Sequence, residues 1–207
     1  TGVIEVVIEN LDVKRDLYSR LCDKIGPDTI LSSNTSTLPR SKLVSELPRD
    51  ISSRFLITHF FNPPRYLPLL EVVTSSEVDE SVVTRFCEFA DHRLGKRVTM
   101  CNDRPGSIGN RLGVYFIQRA FKATLELGLS VEQADAMLGR PIGLPKTAVF
   151  ALMDLVGIDL IPHVTESLLE HLPDDDPFHK IAGTGEEIIL NMIQDGYTGR
   201  KGKGGFY

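Results

Sequence analysis

The stretch LITHFFNPP, residues 56–64, decides how this sequence is interpreted, because a short apolar strand ends there in a histidine. Residues 54–58 predict a buried strand, and His59 follows at once. Two prolines close the stretch, and proline has no N–H to donate to a sheet. The break predicts that His59 and the nearby Asn62 lie at the end of a strand, where side chains from several strands converge.

Strands and helices alternate on both sides of this stretch. The strand-like runs are residues 3–8, 29–33, 54–58, 69–74 and 96–101. The helical patterns are residues 10–25, 39–47 and 79–94. Such alternation predicts a mostly parallel sheet with crossover helices.

The pattern changes near residues 103–106, and no β period follows Ser107. Residues 110–128 predict a long helix that is apolar on more than one side, which is typical of burial on several faces or of packing against a partner chain. Further helices are predicted at residues 131–139, 145–155, 158–172 and 184–194. The sequence therefore predicts an α/β domain followed by an all-α domain, over residues 1–103 and 104–207.

Composition excludes several classes of protein. The chain has 207 residues, 42% of them hydrophobic, and a net charge of −5 with both signs interspersed. This disfavours nucleic-acid binding, and no apolar run approaches the roughly 18 residues that span a bilayer. Cys22, Cys87 and Cys101 lack the spacing of a disulfide framework or a zinc site, which fits a reducing compartment. No set of residues has the pattern of a metal site.

One expected motif is missing. An open α/β domain that binds dinucleotides carries G-x-G-x-x-G after its first strand, and the chain has no such segment. Residues 199–205 are rich in glycine, but they follow a predicted helix. If the domain binds a nucleotide, we expect its first βα unit to lie upstream of Thr1.

Polar residues follow two predicted strands, and ligands of parallel α/β sheets bind outside the carboxyl ends of strands. Residues 32–36 follow the second strand, and His59 ends the third. Glu71 lies inside an aliphatic run, where a carboxylate is costly unless it is paired. We expect it to hold one nitrogen of His59, which would fix the tautomer and support the imidazolium. A structural role for both residues stays open.

Asn110 opens the long helix and is either a functional residue or an N-cap. Asn34 and Ser36 are equally open to interpretation as ordinary turn residues. No order of serine, histidine and aspartate indicates a hydrolase.

Six segments in order carry a specific resemblance: residues 5–10, 33–36, 59–64, 70–73, 104–111 and 202–207. With them the sequence resembles the L-3-hydroxyacyl-CoA dehydrogenases of fatty-acid β-oxidation over essentially its whole length. The 3-hydroxybutyryl-CoA dehydrogenases and the dehydrogenase modules of multifunctional β-oxidation proteins share the pattern.

The resemblance implies the C-terminal portion of a Rossmann-type doubly wound sheet followed by an all-α dimerisation domain. It implies NAD as cofactor, an acyl-CoA substrate, a homodimer, and a location in the cytoplasm or the mitochondrial matrix. His59 would be the general base, Glu71 its support, and Ser36 and Asn110 would position the substrate. Residues expected near the cofactor or substrate are Glu9, Lys14, Asn34, Ser36, Asn62 and Lys201.

Two alternatives to oxidation of a (3S)-hydroxyacyl-CoA stay open. One is a related NAD-dependent dehydrogenase that acts on another hydroxy acid or a sugar acid. The other is a non-catalytic dimerising module that keeps the fold.

Overall fold

A five-stranded sheet forms the centre of the first of two units in the computed structural model, which describes residues 1–207. The units are Thr1–Asn110 and Arg111–Tyr207. The strands lie in chain order as β1 to β5: Gly2–Glu5, Ile30–Ser33, Phe55–Phe60, Leu69–Val73 and Arg97–Cys101.

The sheet is mixed rather than parallel throughout. Strands β1, β2 and β3 are parallel, as predicted, but β4 is antiparallel to β3, and β5 is parallel to β4. Only residues 61–68 connect β3 to β4. A parallel crossover needs about a dozen residues or more, so this connection returns the chain in the opposite direction.

Helices cover both faces of the sheet. They are α1 to α4, at Leu11–Cys22, Arg40–Val44, Arg49–Ser52 and Glu80–Leu94. Side chains of β3 alternate between the faces: Phe55 and Ile57 pack with α1 to α3, and Leu56 packs with α4. Burial on both faces explains why the central strands β3 and β4 are nearly continuous apolar runs.

The predicted first strand was too long, because β1 ends at Glu5 and the apolar residues 6–8 are exposed. Two contacts explain the early end. The neighbouring strand β2 stops at Ser33, opposite Glu5. The Glu5 carboxylate then accepts the Val7 amide N–H at 2.6 Å, which turns the chain out of the sheet.

The second unit is helical, as predicted. Helix α5, Gly109–Leu127, begins with the last two residues of the first unit. Helices α6 to α9 are Val131–Leu138, Phe150–Val156, Leu160–His171 and Glu186–Gln194. Two short 3₁₀ helices, Arg140–Ile142 and Pro177–Lys180, were not predicted. The helix predicted at 145–155 begins only at Phe150, because the Asp135 carboxylate accepts the amides of residues 149–151. None of the helices combines the length and apolar composition needed to cross a bilayer.

Candidate active site

His59 and Glu71 form a buried pair in the first unit. The antiparallel register of β3 and β4 sets these two residues directly opposite each other. His59 Nδ1 lies 2.9 Å from Glu71 Oε2, and the two residues are 7% and 1% exposed. A carboxylate only accepts hydrogen bonds, so this contact assigns the ring hydrogen to Nδ1.

The second oxygen of Glu71 is held by the start of α5. Oε1 accepts the amide N–H groups of Ile108 at 3.0 Å and Gly109 at 2.7 Å. Burial alone would raise the pKa of Glu71, but the hydrogen bonds from His59 and from these two amides outweigh it, and the pKa lies below its usual value. Glu71 is therefore an anion at neutral pH, beside the positive end of a helix dipole.

The far side of the His59 ring is left free to react. Its Nε2 has no hydrogen-bond partner in the protein, so the tautomer set by Glu71 leaves a lone pair there. The Phe61 ring packs on the imidazole, with centroids 4.4 Å apart. A Cβ at Gly109 would lie 2.5 Å from the Phe61 ring, so the glycine makes room for this packing.

The turn after β2 meets the end of β3 and the start of α5. Asn34 Oδ1 accepts the amide N–H of Phe60 at 2.9 Å, across 26 residues of sequence. Asn110 Nδ2 donates to the backbone oxygen of Ser36 at 3.3 Å. The N-cap interpretation of Asn110 was wrong, because α5 begins at Gly109 and the Asn110 side chain bonds a distant loop. The Ser36 hydroxyl makes no hydrogen bond within the protein.

A buried polar cluster beneath this turn was not predicted. Lys14 Nζ lies 2.8 Å from Glu5 Oε1 and 3.2 Å from Glu9 Oε2. Glu5 Oε2 also accepts from the hydroxyls of Tyr18 and Ser33, both at 2.6 Å. The sequence did indicate such a cluster, because Glu5 is a carboxylate inside an apolar run, as Glu71 is.

Glu9 ties the loop after β2 to this cluster. Its Oε1 accepts from the Thr35 hydroxyl and from the amides of Ser36 at 3.2 Å and Thr37 at 3.3 Å. Burial would raise the pKa of Glu9, but the Thr35 hydroxyl and Lys14 outweigh it and lower the pKa. Glu9 and Lys14 therefore shape the backbone of the loop that carries Ser36.

Two of the expected site residues have different surroundings. Asn62 is exposed, precedes a cis peptide bond to Pro63, and has no hydrogen-bond partner in the protein. Lys201 belongs to the second unit, where its Nζ lies 2.9 Å from Asp159 Oδ2.

The arrangement is suited to moving one proton. An imidazole whose Nδ1–H is held by a carboxylate can take a proton at Nε2, and the carboxylate stabilises the imidazolium that forms. Asn34 Nδ2 and the Ser36 hydroxyl are unpartnered donors on the turn after β2, which Asn34 Oδ1 links to the end of the strand that carries His59. A hydroxyl compound bound there would meet both a base and hydrogen-bond donors.

Comparisons with known proteins identify the family of both parts of the chain. Residues 1–104 match the family model described as "3-hydroxyacyl-CoA dehydrogenase, NAD binding domain". Residues 106–207 match the model of the C-terminal domain of the same dehydrogenases.

Individual relatives cover nearly all of this chain. It is 40% identical to a putative fatty acid oxidation complex trifunctional enzyme of Rickettsia prowazekii, over 99% of this chain and 28% of that protein. It is also 40% identical to a probable 3-hydroxyacyl-CoA dehydrogenase of Deinococcus radiodurans, over 99% of this chain and 58% of that protein. The crystal structure of (S)-3-hydroxybutyryl-CoA dehydrogenase from Ralstonia eutropha aligns with a TM-score of 0.85 and 29% identity, covering 100% of this chain and 69% of that one.

Proposed function

This chain belongs to the 3-hydroxyacyl-CoA dehydrogenase family, and from that premise we propose that it serves the NAD-dependent oxidation of a (3S)-hydroxyacyl-CoA to the 3-ketoacyl-CoA. The observation that carries the proposal is the buried His59–Glu71 pair with Nε2 of His59 free. A pair of this kind is costly to bury, and its free nitrogen is what the removal of a hydroxyl proton requires.

In the proposed reaction His59 is the general base. Its Nε2 takes the proton of the C3 hydroxyl while the C3–H bond breaks and the carbonyl forms. Glu71 keeps the lone pair on Nε2 before the reaction and stabilises the imidazolium after it. The Ser36 hydroxyl and the Asn110 side chain position the C3 oxygen and the thioester region. When bound, NAD⁺ supplies the acceptor for the hydride that leaves C3.

The residues at the carboxyl ends of β2 and β3 fit such a cofactor. Open α/β sheets bind nucleotides at this edge, and the Ser36 hydroxyl there has no hydrogen-bond partner in the protein. We assign Glu9 and Lys14 to the same site, where they hold the loop after β2. Asn62, which is exposed, and Lys201 complete the set of proposed cofactor or substrate contacts.

We further propose a homodimer formed by the helical domain, with residues 104–207 as that domain and residues 1–103 as the partial NAD-binding domain. Support comes from α5, whose side chains Leu112, Leu125 and Leu127 are 67%, 48% and 70% exposed. Large apolar side chains gathered on one helix favour burial against a partner. Light scattering at micromolar concentration tests this proposal, and a monomeric mass would contradict it.

A reducing compartment such as the cytoplasm suits the three free cysteines.

NADH binding is the first test of the proposed reaction. NADH fluorescence is titrated with this chain and with the same chain preceded by a glycine-rich βα unit. We expect at least the extended form to bind NADH and, when NAD⁺ is supplied instead, to oxidise 3-hydroxyacyl-CoA. Absence of binding in both folded forms would contradict the proposal.

The second test replaces the base. His59→Gln removes the free ring nitrogen, and we expect turnover to fall by at least about 100-fold, the usual contribution of a general base. His92→Gln is the matched control, because the His92 side chain is 74% exposed on α4 and lies outside the site. Near-normal turnover of the folded His59 variant would overturn the assignment of the base.

A further inference from the structure

The end of β3 that carries His59 lacks a strand neighbour on one side. The parallel pairing with β2 stops at Ser33 opposite Ile57, whereas β3 continues to Phe60. On the other side, β4 pairs with β3 through Phe60. Phe60, at the end of β3, therefore needs something other than β2 as the partner of its backbone N–H.

Asn34 takes the place of the missing strand. Its side-chain Oδ1 accepts the Phe60 N–H at 2.9 Å, and its own backbone N–H donates to the Glu5 carbonyl at 2.8 Å. One residue thus links the end of β1 to the end of β3. Its side chain is partly buried, which limits competition from water for the Phe60 amide.

The bond acts on the backbone of His59 itself. The Phe60 N–H belongs to the peptide group that joins His59 to Phe60, so fixing that group fixes ψ at His59. The imidazole direction is then set at two points, by Asn34 through the backbone and by Glu71 through Nδ1. A general base has to be within hydrogen-bond reach of its proton, so an error in this direction is costly.

We propose that Asn34 is a positioning residue for His59, acting through its side-chain oxygen on the Phe60 amide. The inference rests on the proposed function, because it concerns the base of that reaction. It also changes the role that the family resemblance implies for Asn34. A cofactor contact would act through binding, whereas a positioning residue acts on the turnover of bound substrate.

Two substitutions separate these roles. Asn34→Ala removes the acceptor, and Asn34→Asp keeps an oxygen of the same reach while it loses the Nδ2 donor. Asn102→Ala is the matched control, because Asn102 is exposed and its side chain makes no hydrogen bond. kcat, KM and the NADH dissociation constant are measured for each variant in the form of the chain that oxidises substrate, with thermal melts to establish folding.

For Asn34→Ala we expect kcat to fall by roughly 10- to 100-fold, as for a slightly misplaced reacting group, while the NADH dissociation constant stays within about twofold. Asn34→Asp is expected to recover most of kcat, because its carboxylate accepts the same N–H. If Asn34→Ala does not fold, the comparison of Asn34→Asp with the parent chain still decides the question.

Three results would overturn the inference: unchanged kcat in Asn34→Ala, kcat in Asn34→Asp far below that of the parent, or equal weakening of NADH binding in both variants. The last result would assign Asn34 to the cofactor. His59→Gln is measured in parallel, so that the two proposals can fail separately. Full turnover of His59→Gln would contradict the assignment of His59 as the base. Loss of turnover in His59→Gln, together with parent-like turnover in Asn34→Ala, would contradict only the positioning role of Asn34.

Discussion

Replacing Glu71 by glutamine is the sharpest test of the site, because the change removes a charge with almost no change in shape. In the protein, Oε1 accepts two amides from the start of α5 and Oε2 accepts from His59. A glutamine has one oxygen and one NH₂ group. We expect its oxygen to keep the two amides, which places the NH₂ group against His59 Nδ1.

The consequence is a change of tautomer. An NH₂ group donates, so His59 Nδ1 has to become the acceptor and the ring hydrogen moves to Nε2. The nitrogen that should take the substrate proton then has no free lone pair. The comparable change in a catalytic triad and the usual range for acid–base catalysis both indicate a loss of about 10²- to 10⁴-fold in kcat. This corresponds to about 2.7 to 5.4 kcal/mol in the barrier.

The assay compares kcat, KM and the urea midpoint of Glu71→Gln with those of the parent chain. We expect kcat to fall, KM to change little, and stability to decrease by about 1 to 2 kcal/mol, since hydrogen bonds to a charged carboxylate become hydrogen bonds to a neutral amide. Glu88→Gln, an exposed change on α4, controls for the loss of a carboxylate. A folded Glu71→Gln variant with kcat within about threefold of the parent would refute the tautomer argument.

Two further predictions concern the packing and charges around the site. Gly109→Ala should lower stability by about 1 to 3 kcal/mol in urea unfolding, because its Cβ would lie 2.5 Å from the Phe61 ring. Gly113→Ala in the same helix meets nothing within 4 Å and should stabilise instead, so equal effects would contradict the steric argument. Burial would raise the pKa of Glu5, but hydrogen bonds led by that from Lys14 lower it below the usual 4.5. A carboxylate whose pKa is lower in the folded than in the unfolded state stabilises the fold at pH values above its unfolded pKa, and this stabilisation is lost as the carboxylate is protonated. The urea midpoint should therefore fall as the pH drops below about 4.5, and it should fall less in Glu5→Gln.

Much of the fold could be predicted from periodicity. The helix predicted at residues 79–94 is observed at Glu80–Leu94, and the one predicted at 110–128 is observed at Gly109–Leu127. Such segments are long, and each turn repeats the same pattern. The strand predicted at residues 3–8 failed at its end, because apolar residues alone do not show where a neighbouring strand stops.

The pairing of His59 with Glu71 was predictable for an energetic reason, because a buried carboxylate requires a partner. The same argument applied to Glu5 would have found the cluster with Lys14. The contacts of Asn34 and Asn110 were not predictable. Each has an ordinary local use, in a turn or at a helix N-cap, and each instead bonds a residue far away in the sequence.

Periodicity and charge along the chain were enough to predict the types of the long elements, the change from α/β to all-α, and the need for a partner at Glu71. These properties depend on local periodicity and on the cost of burying charge, and both can be evaluated along the chain. The antiparallel direction of β4, which sets Glu71 opposite His59, could be seen only in the folded unit, and so could the bond by which Asn34 completes the edge of β3. Strand direction and long-range hydrogen bonds depend on which elements become neighbours, and that outcome is determined by the packing of the whole unit.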